Sequence, residues 1–80
     1  MRFPSRESVE RVRKEYPAGC RVELLEMRDP QAPPVGTKGT VLGVDDCADL
    51  LMAWDNHSGL NVVYGEDRVR KIAESEAQDD

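Results

Sequence analysis

The chain has 80 residues, 39% of them apolar, with one Trp, two Tyr and one Phe; 11 basic and 16 acidic side chains give a formal charge of −5. A chain this short forms one domain and buries only about 60–65% of its unfolded surface, which leaves room for one small core and excludes a two-domain enzyme with an enclosed substrate cavity. No apolar run approaches the roughly 18 residues of a membrane span, and the first residues carry no signal-peptide apolar stretch, so a cytoplasmic protein is expected.

The first predicted element is a helix over residues 1–15. In PSRESVERVRKEYPAG, Pro4 and Ser5 are start signals, Glu7 and Glu10 sit early, and Arg11, Arg13 and Lys14 sit late, as the helix dipole favours. Val9, Val12 and Tyr16 recur at helical spacing and make one narrow apolar stripe, which Pro17 and Gly19 end. About three turns with so thin a stripe do not persist alone, so this helix must dock. It is also where positive charge collects. Residues 1–14 carry Arg2, Arg6, Arg11, Arg13 and Lys14 against Glu7 and Glu10, a net +3, which leaves −8 for the remaining 66 residues.

Strands follow over residues 16–72. CRVELLEM alternates Val22 and Leu24 with Arg21 and Glu23, as a strand with one buried face does. RDPQAPPVG holds three prolines in nine residues and reads as an ordered loop. Thr37 to Val44 is a second strand, with Gly39 and Gly43 marking a bulge or bend. A turn at Asp45-Asp46-Cys47-Ala48 leads to a third strand, Leu50 to Trp54. DNHSG turns into a fourth, Leu60 to Tyr64, and GED into a fifth, Arg68 to Ile72. Residues 73–80 are acidic, lack large apolar side chains and are expected to be a disordered tail. Five short antiparallel strands with curling glycines predict a small closed barrel, SH3-like in the first instance and OB-type in the second. The period-2 pattern places Val22, Leu24, Val41, Val44, Leu50, Met52, Trp54, Leu60 and Val62 in its core.

The segments YPAGCRVELLEMRDPQAPPVGTKGTVLGVDD, WDN, LNVVYGED and the final KI resemble, in that order, a family of small bacterial and phage domains known only as a domain of unknown function. The likeness runs from Tyr16 to Ile72. It implies an SH3-like barrel and an association with phages and mobile elements, and it implies no activity. A looser likeness joins the G-x-x-G-T-V strand, aspartate turn and W-D to other small barrels that bind proteins or nucleic acids. The chain departs from the family habit at Ala48, where a turn glycine is usual, and at His57, which also stands near an expected glycine. Leu42 and Leu51 occupy positions expected to be polar.

Little in the sequence carries chemistry. Asp45, Asp46, Asp49 and Asp55 lack the spacing of an EF-hand and read as turn residues, so neither a metal nor a cofactor is expected. Cys20 and Cys47 stand 27 positions apart with no C-x-x-C spacing and read as two separate thiols. His57 has no evident nucleophile to activate, and VGTKGTV lacks the P-loop spacing. What remains is surface. If Val41, Val44, Leu50, Met52 and Trp54 point inward, Leu42, Leu51 and Ala53 form an apolar patch outside; the helix stripe is the favoured cover for it, and a second copy of the chain or the partner is the alternative.

The expected function is therefore a non-enzymatic protein-interaction module, an accessory protein of a phage or mobile element. Leu42, Leu51, Ala53, Trp54, Asp55, Asn56 and Tyr64 are its candidate contacts with an unidentified protein partner. The alternative is a nucleic-acid-associated module using Arg2, Arg6, Arg11 and Arg13, against which the acidic body stands. A monomer or weak homodimer is expected.

Overall fold

The computed structural model describes residues 4–73. Helix α1 runs over Arg6–Glu15, followed by strands β1 (Arg21–Glu26), β2 (Lys38–Val44), β3 (Leu50–Trp54) and β4 (Arg68–Lys71). The strands form one antiparallel sheet in the order β3-β2-β1-β4. The expected tail lies beyond the described residues except for Ala73.

The helix starts and stops where its sequence dictates. Ser5 is extended, and its Oγ accepts a hydrogen bond from the Ser8 amide at 3.1 Å; Glu7 lies in the first turn, Arg13 and Lys14 in the last. The Tyr16 amide closes the last turn on the Val12 carbonyl at 2.8 Å. Val9 and Val12 are buried in the same cluster as Val22, Val41, Leu50 and Trp54. The helix therefore completes the main core. It does not cover the outer face of the β2–β3 hairpin, where it was expected, and Leu42 there is 59% exposed. The sheet alone leaves its inner face open, and Val9 and Val12 close it by joining the core cluster. Arg13 fixes the docking angle: its Nε and Nη2 donate to the Val44 carbonyl at 3.2 and 3.1 Å, and Nη2 also reaches Asp46 at 3.3 Å.

Along β3 the expected alternation holds, with Leu50, Met52 and Trp54 buried and Ala53 exposed. Trp54 is 3% exposed, and its indole N–H donates to the Leu60 carbonyl at 2.7 Å. The ring lies directly on β2: a Cβ added to Gly39 would stand 2.7 Å from a Trp54 ring carbon and 3.0 Å from the Met52 methyl. The bulge falls between Val41 and Gly43, with a second between Leu24 and Glu26 on β1. Of the nine residues assigned to the core, Val44 and Leu60 are only half-buried, while Val9, Val12, Ala48 and Ile72 are buried with the rest.

Two expectations are corrected here. Among the described residues the sheet has four strands, and no closed barrel forms. The missing strand is 60–64. It runs beside β3 and pairs once, through Leu50 and Val62, whose amides exchange hydrogen bonds of 2.8 and 3.0 Å. Beyond that pair, side chains take over the backbone partners. The Met52 amide donates to Asn61 Oδ1 at 3.2 Å, the Val63 amide donates to Asp67 Oδ2 at 2.9 Å, and the Leu60 carbonyl is taken by the Trp54 indole. A segment whose donors and acceptors are satisfied this way cannot extend a ladder. Between 64 and β4 only the isolated Tyr64–Asp67 bridge remains, so the seam stays open.

Candidate functional site

The residues proposed from sequence as partner contacts do not converge on one place. Leu42 is exposed at the β2 bulge, Leu51 stands half-buried opposite Gly43, and Ala53 is beside Thr40 in register. Trp54 is spent in the core, which removes it from any contact surface. Asp55 is exposed but engaged: Arg21 Nη1 donates to its Oδ1 at 2.8 Å and to Thr40 Oγ1 at 2.9 Å, while Nη2 reaches the second carboxylate oxygen. That hydrogen-bonded guanidinium holds the Asp55 carboxyl below the usual range. Asn56 accepts from the Ser58 amide at 3.1 Å inside the turn after β3. Tyr64, 55% exposed, stands apart from all of these on the open seam.

The basic helix is likewise divided. Arg6 and Arg11 are exposed, Arg13 is committed to Val44 and Asp46, and Arg2 lies outside the described residues. Exposed Glu7 and Glu10 are interleaved with these cations.

Reactive side chains are kept quiet. Burial pushes the Cys20 thiol above its ordinary pKa. Cys47, exposed in the β2–β3 turn, is pushed up by local desolvation and by Asp45, Asp49 and Asp46. Both thiols stay protonated at neutral pH. His57 sits in the turn at the opposite end of β3 from Cys47. In the aspartate turn, Asp45 Oδ1 accepts from the Cys47 and Asp49 amides, each at 2.9 Å, and thereby closes the loop on itself. Among the described residues no three His, Cys, Asp or Glu side chains gather as metal ligands. None of the described helices is long and apolar enough to cross a membrane.

Two depressions lie along α1, one of about 430 Å³ between the helix and Asp46 and one of about 300 Å³ where Arg6, Arg11 and Lys14 alternate with Glu7 and Glu10, and two more lie on either side of the 60–67 segment that declines to become a strand. On one side is a groove of about 680 Å³ against the end of β1, lined by Glu26, Met27, Arg28 and Asp29 and, opposite, by Leu60, Asn61, Val63, Glu66 and Asp67. Arg28 pairs with Glu26 at 3.4 Å, and Asp29, Glu66 and Asp67 have no cationic partner among the described residues. On the other side is a cleft of about 180 Å³ walled by Tyr16 and Tyr64 over Leu50, Val62 and Val69, with Gly65, Asp67 and Arg68 at its mouth. Asp67 borders both. The negative field around this segment is felt at a distance: desolvation and then Asp45, Asp67 and Glu66 raise the pKa of Asp49.

Comparison with known proteins places this arrangement in a family. A sequence profile described as a domain of unknown function, DUF4314, matches residues 5–72. The chain belongs to the DUF4314 family. The match takes in α1 as well as the sheet, so the DUF4314 unit includes the helix whose valines complete the core. No curated protein and no solved structure matches the chain.

Sequence reading singled out Tyr64, and with it Tyr16 as an aromatic at the helix end, but not the carboxylates beside them. Glu26, Asp29, Glu66 and Asp67 come from two stretches, EMRD and GED, some 40 positions apart. Nothing in either stretch announces the other. The signal available in the sequence was weak: a second acidic cluster placed in a corner next to the exposed pair Val63-Tyr64.

Proposed function

We propose that this DUF4314 chain is a non-enzymatic protein-interaction module, an SH3-like small β scaffold in which the seam left open between β3 and β4 serves as the docking face for another protein. One observation carries the reading. The 60–67 segment presents Val63 and Tyr64, 36% and 55% exposed, between a tyrosine-walled cleft and a groove rich in carboxylates. Exposed apolar and aromatic side chains around a concave, irregular segment on a rigid sheet are what binding loops use. Protonated thiols and a histidine remote from Cys47 support a module without catalysis. The resemblance to phage and bacterial domains supports an accessory role in a phage or mobile element.

A nucleic-acid-associated role remains the second reading, favoured by the exposed Arg6, Arg11 and Lys14 of α1. Glu7 and Glu10 share an α1 depression with these cations, and carboxylates around the seam also repel phosphate, which is the argument for placing it second. Affinity capture from host cells, with and without nuclease, separates the two. The interaction module retains its partner after nuclease and loses it on Tyr64→Ser. Capture abolished by nuclease, together with binding to duplex DNA that weakens steeply with salt and fails on Arg6→Ala/Arg11→Ala, would establish the nucleic-acid role instead.

A further inference from the structure

The cleft between Tyr16 and Tyr64 differs chemically from the groove beside it. Its floor is aliphatic: Leu50 and Val62 are each 2% exposed, and Val69 packs on the core. Its walls are two phenol rings brought from distant parts of the chain, one from the C-terminal cap of α1 and one from the open seam. The rings are close enough for the Tyr64 hydroxyl to help raise the Tyr16 pKa, after burial and Glu15. At its mouth stands Asp67, whose Oδ2 accepts the Val63 amide at 2.9 Å and so is held in place, and past Asp67 begins the carboxylate groove.

We infer that this cleft is a receptor for a cationic side chain, Arg or Lys, carried by an extended basic segment of a partner protein that continues into the acidic groove. This rests on the protein-binding reading above. The match is one of shape and charge. A volume of about 180 Å³ admits one long side chain. Its methylene stem suits the Leu50, Val62 and Val69 floor, and its charged head suits ring faces and a nearby carboxylate. The next cationic residues of the segment meet Asp29 and Glu66, which no cation of the described chain neutralises. Arg68 also lines the cleft and is a like charge that opposes such a ligand, so the carboxylates of Asp67 and of the adjoining groove must outweigh it.

The test is a titration of the full chain with an acetylated, amidated peptide of alternating arginine and proline, followed by amide NMR shifts and calorimetry. Controls are the same peptide with glutamate, or with leucine, in place of arginine. The expected result is saturable binding of the arginine peptide alone, with the largest shifts at Tyr16, Val62, Tyr64 and Asp67. Affinity should fall about tenfold for Tyr64→Ala. It should fall, with a smaller dependence on salt, for Asp67→Asn, which keeps an oxygen to accept the Val63 amide. Each variant is checked for an unchanged spectrum outside the cleft. Equal binding of the leucine or glutamate peptide, shifts confined to Leu42 and Leu51, or no binding of the arginine peptide at millimolar concentration would each overturn the inference. A partner captured by nuclease-resistant contacts through another face would do so while leaving the broader protein-binding role intact.

Discussion

At Gly39 the backbone of β2 and the indole of Trp54 occupy adjoining space, and a single methyl decides whether both fit. The rigid ring and the strand backbone cannot both yield, so Gly39→Ala should cost about 1–3 kcal/mol, read as a lowered urea midpoint; an unchanged midpoint would show that the ring can slide. Two other residues carry strain instead of avoiding it. Ala48 and His57 have φ of 64° and 72°, in the region where L-residues are disfavoured and glycine is favoured. His57 is exposed, so little burial is lost with its side chain, and His57→Gly should stabilise the fold by up to about 1 kcal/mol in thermal melts. Ala48→Gly should gain less, because the Ala48 methyl is fully buried and its loss opposes the relief. Ionisable residues divide in the same way. The Asp55 pKa is lowered by Arg21, so this carboxylate contributes stability above the ordinary aspartate range, and the contribution is lost as pH falls through its depressed folded value. Asp49 is raised by desolvation and by its acidic neighbours, so its ionisation opposes folding at neutral pH and the opposition fades as pH falls. At pH 7, Asp55→Asn should therefore destabilise and Asp49→Asn should stabilise, each by less than about 1 kcal/mol because neither group is buried. Both differences should shrink toward zero in acid melts, and an Asp49→Asn variant that is less stable at pH 7 would contradict the assignment.

Helix α1 is legible in its ends and in its stripe, but not in its destination. Ser5, the early glutamates and the late cations fix where it begins and stops, and all are local signals. Where Val9 and Val12 go depends on the open inner face of a sheet assembled from residues 21–71, which no local pattern encodes. The same division explains the segment 60–64. Its alternation of apolar and polar residues is that of a strand, and its position beside β3 agrees with that reading. What withholds it from the sheet is three tertiary choices, by Asn61, Asp67 and the Trp54 indole, to satisfy backbone groups with side chains. Hydrophobic period reports which face is buried; it is silent on who takes the hydrogen bonds. Arg13 is the corresponding case on the helix: in sequence it is one more cation of a basic stripe, and in the fold it ties α1 to the end of β2. Arg13→Ala should lower stability by about 1 kcal/mol, while Arg11→Ala should leave it within about half of that. Equal effects in chemical unfolding would mean that the Val44 carbonyl contributes nothing to docking.

Over the whole molecule, the polarity of the surface follows the topology. The sheet carries the charge pairs Arg21 with Asp55 and Arg70 with Glu23, and the exposed Leu42 and half-buried Leu51 stand at its β2–β3 end. The edge strand β4 carries Arg68, Arg70 and Lys71, charges that discourage pairing with another sheet. Opposite in character is the seam between β3 and β4, where aromatic, aliphatic and acidic side chains meet over concave ground. The candidate contacts on the hairpin were visible in the sequence because they break alternation locally. The seam was not, since it joins the end of α1, the end of β1 and residues 60–69. The central claim, that this seam is where the protein meets another protein, is tested most directly by site-specific photocrosslinking in host cells, with a benzophenone side chain placed in turn at Val63, Leu42 and Arg11. The account predicts nuclease-resistant protein adducts from Val63 and none above background from Leu42 or Arg11. Adducts from Leu42 alone, or nuclease-sensitive adducts from Arg11 with none from Val63, would contradict it.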